Sequence, residues 1–508
     1  MQTTANVSTM LDANLEAGRA DKTAVITAND DRLSFADLHS LASRVGARLR
    51  ELGVRREERL LLVLDDTPAF PATFLGAMRI GAVPIPVNFL ARAQDFGYFL
   101  DDSYAVAAVV DAPFLERVGP ELAARPLVRL IVANGDPGEA ESLDEWLASG
   151  DDVVDPVPTH PDDMAFWLYS SGSTGPPKGV VHRHANVRAT CENYASPTLG
   201  ISQEDVVFSS TKMFHAYGLG NNLSFPLSVG ATSVYSAGPP TPDKLLERVA
   251  THSPSLYFSV PALFNAILAH PGFESTDWSS VRLGVSAAEP LAPGIWHRFH
   301  DRTGIEIMDG LGSTEMLHIY CTNRPGDVTP GSSGTPVDGY EIELRDENGS
   351  SVLDGEPGEL WVKGPSTLAY YWHQAERTRD KMAHGWFASG DRYHRDPEGK
   401  YVYEGRVDDM MKIGGLWVSP IEIENRLMDH EAVHEAAVVS VPIEDIARIK
   451  AAVILADGHE GSDELVAGLQ EWCKEGLLRY QYPHIVEFVD DFPRTATGKI
   501  QRFKLRGS

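Results

Sequence analysis

Apolar residues recur along this chain with two spacings that alternate. After Ser34, the positions Leu38, Leu41, Val45, Leu49 and Leu52 fall at helical spacing and stop at Gly53, which predicts a helix with a serine N-cap. The unbroken run Leu60-Leu61-Leu62-Val63-Leu64 predicts a buried strand, and residues 70–80 a second helix before a turn at Gly81. Further strands are predicted at 106–110, 128–132, 231–235 and 256–260, so strand and helix alternate as in parallel α/β layers. Residues 340–344 and 358–363 read instead as antiparallel strands. The fold class expected is α/β, with a large multi-sheet domain over 1–405 and a small α+β domain over 406–508. Charged residues interrupt the pattern at Arg406 to Asp409, and Ile421-Glu422-Ile423-Glu424 begin a fresh unit.

A length of 508 residues, 43% hydrophobic and 23% charged, suits a soluble globular enzyme of several domains. Residues 1–20 carry no apolar stretch of signal-peptide length, and no window approaches the ~18 apolar residues of a membrane span, so a cytoplasmic protein is expected. Cys191, Cys321 and Cys473 are too few and too scattered for a disulfide framework or a thiolate metal site. The formal net charge of −28 argues against nucleic acid and anionic membrane as partners. Screening confines that field to about 8 Å at physiological salt, so local cations such as Lys178, Arg406, Lys412 and Lys499 decide whether phosphate binds.

Candidate chemistry starts at Tyr169-Ser170-Ser171-Gly172-Ser173-Thr174-Gly175-Pro176-Pro177-Lys178-Gly179. The apolar run 164–169 predicts a buried strand at a sheet edge, followed by a glycine-rich loop running through Gly179. Its glycines let backbone N–H groups approach phosphate oxygens, and its hydroxyls and Lys178 add donors and charge. It is not a Walker A loop, because Lys178 follows Pro177 where that pattern needs Gly-Lys-Ser/Thr. The plain alternative is a mobile linker.

With this segment the chain resembles the adenylate-forming superfamily of acyl-CoA synthetases, adenylation domains and luciferases. Downstream motifs in the family's order are Asp309-Gly310-Leu311-Gly312-Ser313-Thr314-Glu315, Gly385-Trp386-Phe387-Ala388-Ser389-Gly390-Asp391, Gly405-Arg406-Val407-Asp408-Asp409 and Pro493-Arg494-Thr495-Ala496-Thr497-Gly498-Lys499. The resemblance implies ATP, Mg2+ and coenzyme A. It implies nucleotide contacts from Ser170, Ser171, Gly172, Ser173, Thr174, Gly175 and Lys178, and from Ala287, Ala288, Glu289, Asp309, Gly310, Leu311 and Thr314 around adenine. Asp391 and Arg406 would meet the ribose, and Glu315 the magnesium. Lys499, with Thr174 and Glu315, would support adenylation and then withdraw as the small domain turns about a hinge at Asp408. Gly414, Gly415 and Trp417 would line the coenzyme A tunnel in the second orientation.

Lys212 to Asn221 and Ser313 to Ile319 look most like benzoate-CoA ligases and other aryl-CoA ligases, which implies an acyl pocket lined by His215, Ala216, Tyr217, Gly312, His318 and Ile319. His215 departs from the aromatic residue usual in benzoate ligases, and Ala288 and Pro290 depart from the usual Gly and Ala of their segment. The expected reaction is ATP plus a carboxylic acid, aromatic or cyclic, to acyl-AMP, then coenzyme A to acyl-CoA and AMP. Three alternatives stay open: thioester formation from a preformed acyl-adenylate, that of a bulky alicyclic acid of secondary metabolism included; loading of a carrier protein; and nucleotide binding without turnover. The resemblance is compatible with a homodimer whose partners are otherwise small molecules.

Overall fold

The computed structural model describes residues 5–148, 153–170, 176–407, 411–413, 416–443, 446–478, 480–494 and 500–506. Ser171, Gly172, Ser173, Thr174, Gly175, Asp408, Gly414, Gly415 and Lys499 lie outside them, and of Trp417 only the backbone is described.

Two largely parallel sheets frame the larger part. The first runs Val83–Pro86, Arg59–Val63, Ala105–Asp111, Arg129–Ala133, Glu141–Ser142, with every neighbour parallel. Its Arg59–Val63 strand shows no polar alternation because both faces are covered. Leu60 and Leu62 join a core with Leu38, Val45 and Phe70, while Leu61 and Val63 join another with Phe96, Phe99 and Val118. The helix Phe35–Glu51 starts where the serine cap predicts it: Ser34 Oγ accepts from Asp37 N at 3.1 Å and Asp37 Oδ2 accepts from Ser34 N at 2.8 Å. Such a reciprocal cap contributes about 1 kcal/mol.

The second sheet has nine strands in the order Thr335–Pro336, Ile319–Thr322, Ile307–Gly312, Leu283–Ser286, Leu256–Ser259, Val206–Ser209, Thr232–Val234, Thr23–Ile26, Arg32–Ser34. From Ile307–Gly312 to Thr23–Ile26 the neighbours are parallel, and the outer strands are antiparallel. Glu341–Arg345 and Gly358–Lys363 pair antiparallel, as expected for 340–344 and 358–363, and the sheet continues through Trp386–Arg395, with Tyr401–Arg406 paired to it.

Met164–Ser170 is the edge strand of a three-stranded antiparallel sheet with Lys178–Arg183 and Tyr370–Tyr371. Here one expectation is corrected. The glycine-rich loop does not extend through Gly179, because Lys178 already pairs with Ser170 and Gly179 with Tyr169. Gly179 serves packing: an added Cβ would lie 3.1 Å from Trp372 Cβ, and Trp372 N donates to Gly179 O at 2.8 Å.

Towards the C-terminus, Val433–Ile443, Ile446–Leu455 and Ile485–Phe488 form a small sheet. With the helices Pro420–Met428 and Asp463–Gly476 it encloses its own core, which includes Ile423, Leu427, Val438, Ile449, Leu469 and Cys473. The three cysteines are free and buried. Among the described residues no helix is long and apolar enough to cross a membrane.

Candidate active site

In open α/β sheets ligands bind beyond the C-terminal ends of parallel strands, and the motif residues gather there. Val206–Ser209 leads to His215, Ala216 and Tyr217; Leu283–Ser286 leads to Ala287, Ala288 and Glu289; and Ile307–Gly312 carries Asp309, Gly310, Leu311 and Gly312 before the chain turns through Thr314 and Glu315. Ala288 has φ +78, a left-handed conformation that costs a residue with a Cβ about 1–2 kcal/mol. A glycine at this position would carry no such strain, which gives the departure noted in the sequence a physical meaning.

Asp309 is buried. Its Oδ2 accepts from Leu291 N at 3.3 Å, while among the described residues Oδ1 has no hydrogen-bond partner, and neither does the buried Oγ of Ser286 on the next strand. Burial pushes the Asp309 carboxyl up to about 7, against the pull of the Leu291 and Gly310 N–H groups. A buried acceptor and a buried hydroxyl left over at a strand end suit a polar ligand that supplies their hydrogen bonds.

The turn after Gly312 is fixed by two residues that no local pattern marks. His182 Nε2 donates to Thr314 O at 2.8 Å; its burial lowers it to about 4, so the ring is neutral. Tyr371 OH donates to Glu315 Oε1 at 2.9 Å, and Leu368 N donates to Glu315 O at 2.7 Å. The signal for Tyr371 is faint, an aromatic run Tyr370-Tyr371-Trp372 before a charged stretch. Glu315 keeps oxygen sites for a metal, but no group of three metal-ligating side chains exists among the described residues. That donor set fits Mg2+, which binds through one or two carboxylates plus substrate phosphates.

Asp391 and Arg406 face each other on adjacent strands, with Arg406 Nη1 donating to Asp391 Oδ1 at 2.8 Å. The nearby Asp391 carboxylate raises the Arg406 guanidinium further. Ser389 shapes this turn: its Oγ donates to Leu360 O at 2.8 Å and accepts from Asp391 N at 3.1 Å. Lys178 is pushed below the usual lysine range, first by burial and then by Arg377, with Glu315 opposing.

The acyl-pocket candidates meet around His318. Ala216 and Tyr217 open the short helix Ala216–Leu219 with His215 at its N-cap, and the His215 ring lies 4.2 Å from that of Phe214, tilted by 53°. A wide π-type turn, Gly220–Ser224, then sets Asn221 Oδ1 3.1 Å from His318 Nε2. Tyr194, Tyr217 and Phe225 surround the His318 ring at 5.4, 5.4 and 4.4 Å. Burial lowers His318 to about 3, so it is a neutral, hydrogen-bonded wall, with Nδ1 left unpartnered. Gly312 pairs with Ile319, and an added Cβ would stand 2.8 Å from His318 O. Tyr217 OH is tied to Val285 O at 3.0 Å. The result is a cluster of rings and backbone around His318, three residues along the strand from Asp309.

A ring cluster beside buried polar groups at the strand ends of a large α/β domain, followed by a small α+β domain, defines a protein of the adenylate-forming class. The family model described as AMP-binding enzyme matches residues 12–372, and that of the AMP-binding enzyme C-terminal domain matches 422–499. The chain belongs to the AMP-binding enzyme family. It is 46% identical over 504 residues to a benzoate–CoA ligase of Thauera aromatica, covering 98% of this chain and 95% of that protein. The crystal structure of a benzoate CoA ligase from Burkholderia xenovorans LB400 superposes with a TM-score of 0.93 at 43% identity, covering 99% of this chain and 100% of the other. An anthranilate CoA ligase, AuaEII, in complex with anthranoyl-AMP superposes with a TM-score of 0.95 at 36% identity, covering 100% of this chain and 97% of the other.

Proposed function

We propose that the protein is an aryl acid–CoA ligase that converts an aromatic carboxylic acid, ATP and coenzyme A to the aryl-CoA, AMP and pyrophosphate. The observation that carries the reading is the strand Ile307–Gly312, which bears Asp309 with an acceptor unpartnered among the described residues and, three residues on, Gly312 packed against His318 and its ring of aromatic neighbours. An acid beside those rings and a nucleotide at Asp309 would therefore meet along one strand.

In the first half-reaction a carboxylate oxygen attacks the α-phosphorus and the bond to the bridging oxygen of pyrophosphate breaks. Asp309 Oδ1 accepts from the adenine amino group, and Ala287 to Glu289 border the ring. Asp391 and Arg406 take the ribose, and Ser170 to Gly175 with Lys178 wrap the phosphates. Glu315, oriented by Tyr371, holds Mg2+, which when bound neutralises phosphate charge. Lys499 adds an ammonium on the small domain. In the second half-reaction that domain turns about Asp408, Lys499 leaves, and the thiol arrives past Gly414, Gly415 and Trp417 to attack the acyl carbon, releasing AMP. Buried free thiols support a reducing compartment, the cytoplasm.

A panel of benzoate, hydroxybenzoates, anthranilate and alicyclic acids, incubated with Mg·ATP with and without coenzyme A and read by mass spectrometry, tests this. Aryl-AMP without coenzyme A and aryl-CoA with it is the expected result; preference for an alicyclic acid would overturn the substrate class. The strained Ala288 favours one second reading, thioester formation from a supplied adenylate alone, and in that case no acid yields an adenylate.

A further inference from the structure

The ligase reading leaves one group of charges without a task. The helix Ala375–Lys381 buries none of its side chains, so apolar packing does not explain where it sits. It is held between the strands Tyr370–Tyr371 and Met382–Ala383, and Thr378 Oγ1 accepts from Tyr371 N at 3.0 Å. Arg377 and Lys381, four apart, lie on one face. A Cβ built on Gly390, just before Asp391, would lie 2.9 Å from Arg406 Nη2 and 3.6 Å from Lys381 Nζ, so both cationic heads converge on that turn. Lys178 feels Arg377, Lys381 and Arg406 as repelling charges against the single attraction of Glu315.

These cations are short of counter-charge. Asp391 is engaged by Arg406, and Lys381 approaches Glu359 only to 4.0 Å. Among the described residues the Lys178 and Arg377 side chains have no hydrogen bond or ion pair. Like charges gathered in a half-buried cleft repel, and an anion entering between them relieves that repulsion. The anion released in adenylation is pyrophosphate, whose charge grows as the electron pair of the broken P–O bond moves onto the oxygen that linked the α- and β-phosphorus.

We propose that Arg377 and Lys381, with Lys178, bind the β- and γ-phosphates of ATP and hold the departing pyrophosphate. This rests on the ligase reading. The guanidinium fork of Arg377 supplies paired donors to two phosphate oxygens, and Lys381 a point charge. A solvated helix with no such task predicts no effect on pyrophosphate.

The test is benzoate-dependent ATP–pyrophosphate exchange with Arg377→Ala, Lys381→Ala and Arg377→Lys, alongside thioester formation from supplied benzoyl-AMP. Each alanine variant is expected to raise KM for pyrophosphate at least tenfold, with KM for benzoate unchanged and Arg377→Lys regaining part of the loss. Thioester formation, in which pyrophosphate takes no part, also reports that each variant is folded. An unchanged KM for pyrophosphate, or equal losses in both half-reactions, overturns the site. Failure of the ligase reading shows differently, as a wild-type enzyme that exchanges with no acid.

Discussion

Replacing Asp309 with asparagine should strengthen the empty protein and weaken its grip on ATP. The carboxyl titrates near 7, against an ordinary value of 3.8, because burial disfavours its charge. Between those two values the folded state holds a proton that the unfolded chain has lost, so stability falls as pH rises through this window and levels off above 7. At pH 8 the buried carboxylate therefore costs on the order of 4 kcal/mol, an amount the uncharged amide does not carry. At pH 4 the carboxyl is protonated in the fold, and the two proteins should differ little. Binding runs the other way. Leu291 N requires an acceptor, so the amide oxygen stays there and the NH2 takes the place of Oδ1. An adenine amino group then meets a donor, a loss of about 1–3 kcal/mol, or roughly 5- to 150-fold in KM for ATP. Thermal melts of nucleotide-free protein at pH 4 and pH 8, with ATP kinetics at pH 8, measure both. A variant that melts lower than wild type at pH 8, or an unaltered KM for ATP, would refute the reasoning.

Other expectations are as direct. Ala288→Gly relieves the left-handed strain of about 1–2 kcal/mol but adds about 0.5–1 kcal/mol of unfolded-chain entropy, so a small rise in melting temperature is expected, and a fall would contradict it. Tyr371→Phe removes the donor to Glu315, a hydrogen bond to a charged group worth about 1.5–3 kcal/mol, and should raise the Mg2+ concentration for half-maximal adenylation while leaving KM for coenzyme A alone. Lys499→Ala should suppress adenylation far more than thioester formation from supplied acyl-AMP; equal loss in both would show that its charge is not confined to the first step.

Local order was legible wherever neighbours along the chain decide it. Ser34 and its apolar spacing place the helix Phe35–Glu51, and the unbroken Leu60 to Val63 run records a strand between two cores. The hydroxyl- and glycine-rich motifs pointed to the strand ends where Asp309 and Gly312 stand. What escaped depends on residues far away. Gly179 looks like a loop glycine until Trp372, far along the chain, is packed against it. His182 and Tyr371 act on Thr314 and Glu315 only because the three-stranded sheet meets the end of the nine-stranded one there, and Lys381 looks like ordinary surface charge until the Gly390 turn brings Arg406 beside it. Ala288 was visible as a departure, but its cost became apparent only with its backbone angle.

The central claim, that a carboxylate is activated through its adenylate, is tested most directly with benzoate labelled with 18O in both carboxylate oxygens. The oxygen that attacks the α-phosphorus stays on AMP when the thiol displaces it from the acyl carbon. The account predicts AMP carrying one 18O for each benzoyl-CoA formed; benzoyl-CoA accompanied by unlabelled AMP would contradict it.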